Sequence, residues 1–275
     1  MKISVLITQI LILTFFVACS NKRGPASDKR SRISIIFDID YTIVAPSTSK
    51  KDSHTVTVEG ETYRVNDGVV EMIEKLSKRD NVDIYFFSGG GESRNLELLK
   101  QIKSDQGKSL LSYTTEVYSF NDLTQVATEG RFSKRYKKNL APLGFDLRNT
   151  ILVDDNELFA VPGQEENMLW LGKTYHHVED YNKITSLKNL GNLEAEYFPT
   201  NPDAWFLARN KLKYVDALLD AALDAEDERK GSFLHFIHTK KNEYIPYKEV
   251  RNSHFDNLLT QKPNRGCTSL VLSFP

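Results

Sequence analysis

Three short apolar runs, each followed by small or acidic residues, most constrain the fold of this chain. They are RISIIF at residues 32–37, VDIYFF at 82–87 and NTILV at 149–153. Runs of Ile, Val and aromatic residues are typical of strands buried on both faces of a parallel sheet. Amphipathic helical patterns lie between or beyond them, in GVVEMIEKLSK, ESRNLELLKQIK and SKRYKKNLAPLG. Strands that alternate with helices predict an α/β fold with a parallel sheet and right-handed crossovers.

One insertion interrupts this alternation. The segment HTVTVEGETYRV, residues 54–65, alternates apolar and polar residues on both sides of Glu59-Gly60 and predicts a β-hairpin. It lies between the first strand and its helix, so it should project from the carboxyl edge of the sheet, where ligands bind in open α/β folds. The hairpin would therefore act as a flap over a site, or would be only a long turn.

Residues 191–275 form a predicted C-terminal extension. Asn201 is a good helix N-cap, and Pro202 suits the first helical position. Apolar residues then recur every three or four positions, which predicts a long helix that ends near Gly231. Such a stripe packs either on the body of its own protein or on a partner helix.

The N-terminus has the pattern of a secretory signal. Residues 1–19, MKISVLITQILILTFFVAC, have a Lys, an apolar run and small residues before Cys19. The ending FVAC resembles the lipobox of bacterial lipoproteins, with Phe16 where Leu is commoner, so Cys19 would carry a lipid. An uncleaved membrane anchor is the alternative. Residues 20–31 read as a flexible tether, and residues 32–190 as a domain held at the membrane of the cell envelope.

Acidic residues, a hydroxyl and lysines follow the predicted strands. Because the carboxyl ends of parallel strands meet at one edge of a sheet, these groups should cluster. Clustered carboxylates repel one another, and a hard cation with oxygen ligands, Mg²⁺, relieves that repulsion. The residues concerned are Asp38, Asp40, Ser88, Lys134, Lys137, Lys138, Asp154 and Asp155.

This group of residues suits phosphoryl transfer. Mg²⁺ and a lysine together attract a phosphate dianion and neutralise its oxygens. A carboxylate can attack phosphorus, and a second acid two residues on can pass protons to and from the reacting oxygens. We therefore expect a phosphorylated substrate. The formal net charge of −1 gives no general attraction to nucleic acid, so we expect no nucleic-acid partner.

The order of these motifs resembles that of haloacid-dehalogenase-like phosphohydrolases, whose signature is D-x-D-x-T/V, then Ser/Thr, then Lys, then one or two Asp. The segments YKKNLAPLG, LVDDNELF and EEN look like those of the capless C-terminal-domain phosphatases and NLI-interacting-factor-like phosphatases. The resemblance implies a Rossmann-like parallel sheet of the haloacid-dehalogenase type, without a large cap domain.

The resemblance also implies roles for the motif residues. Asp38 matches the nucleophile and a metal ligand. Asp40 matches the general acid/base, with its backbone carbonyl as a further metal ligand. Ser88 would hydrogen-bond the phosphoryl group, and Thr42 would support the loop.

The lysine segment and the last acidic pair complete the implied site. Lys138 matches the family lysine, with Lys134 and Lys137 as rivals. Asp155 matches a metal-ligand position, and Asp154 would be a second ligand or would orient Lys138.

The chain departs from the family pattern in two places. Asn139 stands where an Asp is usual, and glycines follow Ser88 where relatives have bulkier residues. The polymerase-tail substrate of the nuclear members is not expected here. We expect a Mg²⁺-dependent phosphomonoester hydrolase that acts through an aspartyl-phosphate on a phosphoprotein or a small phosphomonoester. The alternative is a catalytically inactive binding protein of the bacterial envelope with this fold.

Overall fold

The structure is a computed structural model that describes residues 31–47, 54–172, 174–175, 198–199 and 201–246. The predicted signal peptide, Cys19 and the tether up to residue 30 lie outside the described residues. So does the predicted boundary at residue 191. Among the helices of the described part, none combines the length and apolar character needed to cross a membrane.

The described residues form ten strands and five α-helices, joined by short 3-10 turns. The strands are β1 (Ile33–Phe37), β2 (Val44–Pro46), β3 (Thr55–Val58), β4 (Glu61–Val65), β5 (Val82–Phe87), β6 (Glu116–Tyr118), β7 (Thr124–Gln125), β8 (Tyr136–Lys137), β9 (Thr150–Asp154) and β10 (Met168–Trp170). The α-helices are α1 (Val69–Leu76), α2 (Glu92–Gln101), α3 (Phe132–Arg135), α4 (Pro202–Asp227) and α5 (Phe233–Tyr244). The 3-10 turns are Leu110–Tyr113, Phe120–Asp122, Ala141–Leu143, Leu147–Asn149, Glu157–Phe159 and Glu165–Asn167.

The main sheet has five parallel strands in the order β10-β9-β1-β5-β6. Phe37, the last residue of the central strand β1, lies in register with Phe86 of β5 and Val153 of β9. The three strands therefore reach the carboxyl edge together, and the polar residues that follow them meet there. The predicted α/β class with a parallel sheet is confirmed, although β6 and β10 are not among the predicted runs.

Both faces of the central strand are buried, which explains why four of its five residues, all but Ser34, are apolar. Ile35 and Phe37 belong to one core cluster with α1, α2 and residues of the C-terminal helices. Ile36 belongs to a second cluster on the other face, with Phe87 and Leu152. A strand covered on both sides carries apolar residues on both of its faces.

The predicted hairpin is present and gains a third strand. β3 and β4 pair in antiparallel register, and β2 pairs with the other edge of β4. Glu59 and Gly60 have φ of 53° and 83°, which the right-handed twist of a two-residue hairpin requires. The hairpin lies against α2, where Gln101 Nε2 donates to the carbonyl of Thr57 at 3.2 Å.

The prediction of a helix that continues to Gly144 is wrong beyond the first turn of the segment. The segment from Ser133 to Gly144 forms only the end of α3 before it becomes extended in β8, which pairs with β7. The backbone N–H of Lys138 then donates to the carbonyl of Phe159 at 3.0 Å. These hydrogen bonds to distant residues outweigh the local helical pattern, because they satisfy the backbone and place Lys138 at the sheet edge.

The long C-terminal helix packs on its own chain. Asn201 caps α4, because its Oδ1 accepts from the N–H of Ala204 at 2.8 Å. The helix ends at Asp227, before the predicted Gly231, because Arg229 adopts a left-handed φ of 56°. Its apolar stripe is buried in the same core cluster as β1 and α1, with Leu212, Val215, Leu218, Leu219, Ala222 and Leu223.

Acidic residues on the same helix hold it to α1 and the turn that follows. Arg79 Nη2 contacts Asp220 at 2.6 Å and Asp224 at 2.8 Å. Lys75 Nζ contacts Asp216 at 2.6 Å. The described part of the extension is therefore an integral part of the core.

Candidate active site

A tight turn after β1 presents the first two aspartates. The N–H of Asp38 donates to the carbonyl of Val153 at 2.9 Å, so the residue continues the pairing of β1 with β9. Two N–H groups, from Ile43 and Val44, then donate to the carbonyl of Ile39 and close the turn. Tyr41 lies inside this turn and adopts a left-handed φ of 60°. This conformation is strained for a residue other than glycine, and such residues cluster at functional sites.

Lys138 lies between two buried carboxylates. Its Nζ donates to Asp38 Oδ1 at 2.5 Å and to Asp154 Oδ2 at 2.6 Å. The side chains of Lys138 and Asp154 are fully buried, and that of Asp38 is nearly so. The rings of Phe87 and Phe159 flank the ammonium group at 5.7 and 4.9 Å. Charges removed from water in this way must be paired, and here one cation serves two anions.

The protonation of this group follows from burial and charge. Burial raises the pKa of Asp38; Lys138 opposes this, and Asp154 and Asp155 add to it. Burial alone would lower the pKa of Lys138, but the carboxylates of Asp154 and Asp38 outweigh it and raise the pKa. Lys138 is therefore an ammonium ion, and the cluster has excess negative charge that a further cation would relieve.

Asp155 completes a group of three carboxylates. Oxygen atoms of Asp38, Asp154 and Asp155 lie within 4.8 Å of one another, the arrangement expected of a cation site. Thr174 Oγ1 donates to Asp155 Oδ2 at 2.9 Å, and the Asp155 carbonyl accepts from the indole of Trp170. Burial, followed by the charge of Asp154, raises the pKa of Asp155 to about 7. A donor set made only of oxygen atoms and carrying excess negative charge fits Mg²⁺.

The contacts of Asp154 bear on its two predicted roles. Its Oδ2 accepts from Lys138, and its Oδ1 accepts from the N–H of Asn156 at 2.8 Å. Both oxygens therefore already have donors, which favours the orienting role over that of a metal ligand. Each carboxylate oxygen retains a second lone pair that a cation could use.

The rival lysines lie elsewhere. Lys134 is exposed on α3, and Lys137 Nζ donates to the carbonyl of Leu158. Asn139 Oδ1 accepts from Gln164 Nε2 at 2.7 Å, so the residue that replaces the usual Asp has a structural partner of its own. Of the three candidates, Lys138 alone contacts the carboxylates.

Asp40 faces a different set of groups. Its Oδ2 accepts from Ser88 Oγ at 3.0 Å and from Arg94 Nη1 at 3.0 Å, and its Oδ1 accepts from Arg94 Nη2. The Ser88 hydroxyl oxygen in turn accepts from the N–H of Gly90 at 3.0 Å. Asp40 and Ser88 therefore meet as predicted, whereas the expected ligation by the Asp40 carbonyl stays a prediction.

Thr42 supports the loop through its backbone. Its carbonyl accepts from Asn66 Nδ2 at 2.7 Å. Its hydroxyl oxygen is buried and has no hydrogen-bond partner within the described ranges. Thr42 thus contacts the neighbouring segment through its main chain, and the predicted supporting role of its side chain stays a prediction.

The glycines after Ser88 leave space for neighbouring side chains. A Cβ atom on Gly89 would lie 2.7 Å from the ring of Phe132. A Cβ atom on Gly90 would lie 2.7 Å from Asn95 Oδ1 and 2.9 Å from Arg94 Nη1. Contacts below 3.0 Å force these groups to move, so a residue larger than glycine at position 89 or 90 would displace them.

Two cations near the site escaped prediction. Arg94 lies in a helix that the apolar pattern alone identified, where arginine is an ordinary surface residue. Lys211 lies on α4 and is buried, and its charge interacts with that of Asp155. Burial lowers the pKa of Lys211 to about 7, and Asp155 opposes this shift. In the sequence NKLKY nothing distinguishes Lys211 from the nearby Lys213.

Comparisons with known proteins point to one family. The model of the NLI interacting factor-like phosphatases matches residues 33–196. No curated protein sequence gives a significant match. The matched span contains all of the predicted site residues of the sheet edge, namely Asp38, Asp40, Ser88, Lys138, Asp154 and Asp155.

Two solved structures are similar at low identity. One is Fcp1, an essential RNA polymerase II CTD phosphatase, at 14% identity and a TM-score of 0.41, covering 76% of this chain and 70% of that chain. The other is an RNA polymerase II CTD phosphatase of fission yeast, a variant of Fcp1 bound to beryllium fluoride. It has 18% identity and a TM-score of 0.37, covering 84% of this chain and 67% of that chain.

The variant Lys138→Met tests the buried charge cluster. We expect its free energy of unfolding at pH 7.5 to fall by about 3–5 kcal/mol, because two buried carboxylates lose the cation between them. The loss should shrink toward pH 5. Without Lys138 the pKa of Asp38, already raised by burial, rises further, so the folded variant takes up protons that stabilise it as the pH falls. Denaturant unfolding at several pH values measures both effects.

Lys134→Met is the matched control, since it removes an exposed lysine from the same segment. Its stability should change by less than about 0.5 kcal/mol. Equal losses in the two variants, or a loss in Lys138→Met that does not depend on pH, would contradict the assignment.

Proposed function

Because the chain belongs to the family of NLI interacting factor-like phosphatases, we propose that it is a Mg²⁺-dependent phosphomonoester hydrolase that acts through an aspartyl-phosphate on Asp38. One observation carries the proposal. Lys138 contacts Asp38 and Asp154 at 2.5 and 2.6 Å, and Asp155 lies close enough to share a cation with both. A nucleophilic carboxylate beside a fixed ammonium and a cation site is what phosphoryl transfer requires.

In the first step, a carboxylate oxygen of Asp38 attacks phosphorus and forms a P–O bond. The ester P–O bond breaks, and its electron pair stays on the leaving oxygen, which takes a proton from Asp40 and departs as an alcohol. Ser88 donates a hydrogen bond to the phosphoryl group. Lys138 stays beside Asp38 and offsets the negative charge that builds up around it.

In the second step, a water molecule attacks the phosphorus of the aspartyl-phosphate. Asp40, now a carboxylate, accepts the proton of that water. The bond between phosphorus and the Asp38 oxygen breaks, which restores the carboxylate and releases inorganic phosphate. Asp38, Asp155, the carbonyl of Asp40 and, as a further candidate, Asp154 would hold Mg²⁺, which when bound neutralises charge on the phosphoryl oxygens.

The substrate is proposed as a phosphoprotein or a small phosphomonoester. Between Asp40 and Ser88 the described residues form a three-stranded sheet, α1 and β5, with no separate cap domain. A site of this kind admits a phosphate on a macromolecule as readily as one on a small molecule. The polymerase tail named for Fcp1 is a substrate of that protein and is not transferred to this chain.

The proposal is tested by hydrolysis of a generic aryl phosphate with Mg²⁺ and with EDTA. Asp38→Asn should lower kcat by about a thousandfold or more, because the nucleophile is lost. Asp105→Asn, which changes an exposed carboxylate in the same domain, should leave kcat unchanged.

Two results would refute parts of the proposal. If the unaltered protein shows no Mg²⁺-dependent turnover, the protein is instead a binding protein with a phosphatase fold. If Asp38→Asn keeps its activity, the assigned nucleophile is wrong.

We further propose that the protein is a lipoprotein tethered to the membrane of the cell envelope through Cys19. The support is the N-terminal pattern of a basic residue, an apolar run and FVAC, followed by a polar tether at residues 20–31. In a bacterial host, Cys19→Ser should move the protein from the membrane fraction to the soluble fraction and abolish labelling by a fatty acid. Cys267→Ser, which changes the other cysteine, should do neither. Membrane retention of Cys19→Ser with no change in labelling would refute lipidation.

A further inference from the structure

One oxygen of Asp40 occupies a position between two donors. Asp40 Oδ2 accepts at 3.0 Å from Ser88 Oγ and also at 3.0 Å from Arg94 Nη1. The second guanidinium nitrogen, Nη2, donates to Asp40 Oδ1, so the pair is bidentate. Ser88 and Arg94 together therefore form a site for an anionic oxygen, and Asp40 fills it.

The guanidinium group is held in place by several neighbours. The ring of Tyr63, on strand β4 of the flap, lies 4.8 Å from the Arg94 guanidinium carbon. Asn95 Oδ1 accepts from Arg94 Nη1 at 3.1 Å, and Asn95 is itself fixed by a hydrogen bond to the carbonyl of Gly90. Gly90 has no Cβ atom to displace the guanidinium. The side chain of Arg94 is only 13% exposed as a result.

This arrangement conflicts with turnover if it persists when the substrate is bound. The Ser88 hydroxyl has one proton and cannot donate to Asp40 and to a phosphoryl oxygen at the same time. Asp40 must also reach the leaving oxygen to pass it a proton, and both of its oxygens are engaged by Arg94. Both conditions are met if the phosphoryl group replaces the carboxylate of Asp40 between the two donors.

We propose that Arg94 is a phosphate-binding residue, which with Ser88 forms an anion site that Asp40 occupies until the phosphoryl group of the substrate displaces it. The inference rests on the proposed function and adds Arg94 to the residues that bind the phosphoryl group. The exchange replaces one anionic oxygen by another, so the partly buried guanidinium remains paired throughout. Arginine suits this role, because its planar donors match two oxygens of a phosphate as well as two of a carboxylate.

The exchange also gives the flap a function. Tyr63 packs on Arg94 from the hairpin side, while Asp40 contacts Arg94 from the sheet edge. When Asp40 is displaced, the ring of Tyr63 and the amide of Asn95 keep the guanidinium beside Ser88. The flap therefore stabilises the phosphate site from one side, in addition to any effect on access.

The experiment is a double-mutant cycle on phosphate binding. The probe is inorganic phosphate, titrated calorimetrically with saturating MgCl₂ into the unaltered protein, Arg94→Met, Asp40→Asn and the double variant. If Arg94 binds phosphate directly, Arg94→Met should weaken binding about 10–100-fold, the loss expected for charge-assisted hydrogen bonds. A loss of the same order should persist in the Asp40→Asn background. Asp40→Asn alone should tighten binding, because a competing anion is removed.

The cycle separates direct binding from an effect through Asp40. If Arg94→Met weakens phosphate binding only when Asp40 is present, Arg94 merely positions Asp40 and the inference is overturned. Absence of phosphate binding by the unaltered protein overturns the proposed function and, with it, this inference. The control is Lys100→Met, which removes an exposed cation from the same helix and should leave the Kd for phosphate unchanged.

A second pair of variants keeps the test valid if Arg94→Met alters folding. Gly90→Ala should push the guanidinium away from Ser88 and weaken phosphate binding, because the added Cβ would lie 2.9 Å from Arg94 Nη1. Gly91→Ala adds the same group where no atom lies within 4 Å, and its backbone already has an ordinary φ of −65°. Equal Kd values for phosphate in these two variants would count against the assignment of Arg94.

Discussion

The structure of the site depends on one buried ion group, Lys138 between Asp38 and Asp154. Three charged groups are removed from water there, and the ammonium group is the cation that pairs with both carboxylates. The lysine also links the ends of two paired strands, since Asp38 follows β1 and Asp154 ends β9. The position of Asp38, the proposed nucleophile, therefore depends on the same contact that offsets the cost of burying its charge.

The parallel sheet explains how a few residues that are distant in sequence assemble the site. β1, β5 and β9 end in register, so Asp38, Ser88 and Asp154 meet without any long connecting loop. Two groups then form at this edge. On one side, the carboxylates of Asp38, Asp154 and Asp155 form the candidate cation site. On the other, Ser88 and Arg94 hold Asp40. The proposed chemistry uses both, with phosphorus between the nucleophile and the proton carrier.

The sequence predicts the parts of this site that follow strands, because an acidic residue after a fully apolar run has few structural explanations. Asp38 and Asp154 were identifiable for that reason, and the family motif then singled out Lys138. The local pattern around Lys138 predicted a helix, and this was wrong because distant hydrogen bonds to β7 and Phe159 decide the backbone there. Periodicity cannot report such contacts.

Arg94, Tyr63 and Lys211 were beyond prediction for a related reason. Each lies in an element that the sequence identifies, but its neighbours come from other elements: Asp40 for Arg94, the guanidinium for Tyr63, and Asp155 for Lys211. The Ser88-Gly89-Gly90-Gly91 run was noticed as a departure from the family. At Gly89 and Gly90 the physical reason is the space taken by Phe132, Asn95 and Arg94, whose positions depend on the tertiary structure.

A crystal structure with Mg²⁺ and beryllium fluoride tests the central claim most directly, because beryllium fluoride mimics a phosphoryl group on a carboxylate. The account predicts beryllium bonded to an oxygen of Asp38, with Lys138 Nζ within hydrogen-bond distance of the adduct and Mg²⁺ on Asp38 and Asp155. Beryllium on another residue, or Lys138 turned away from an adduct on Asp38, would contradict it.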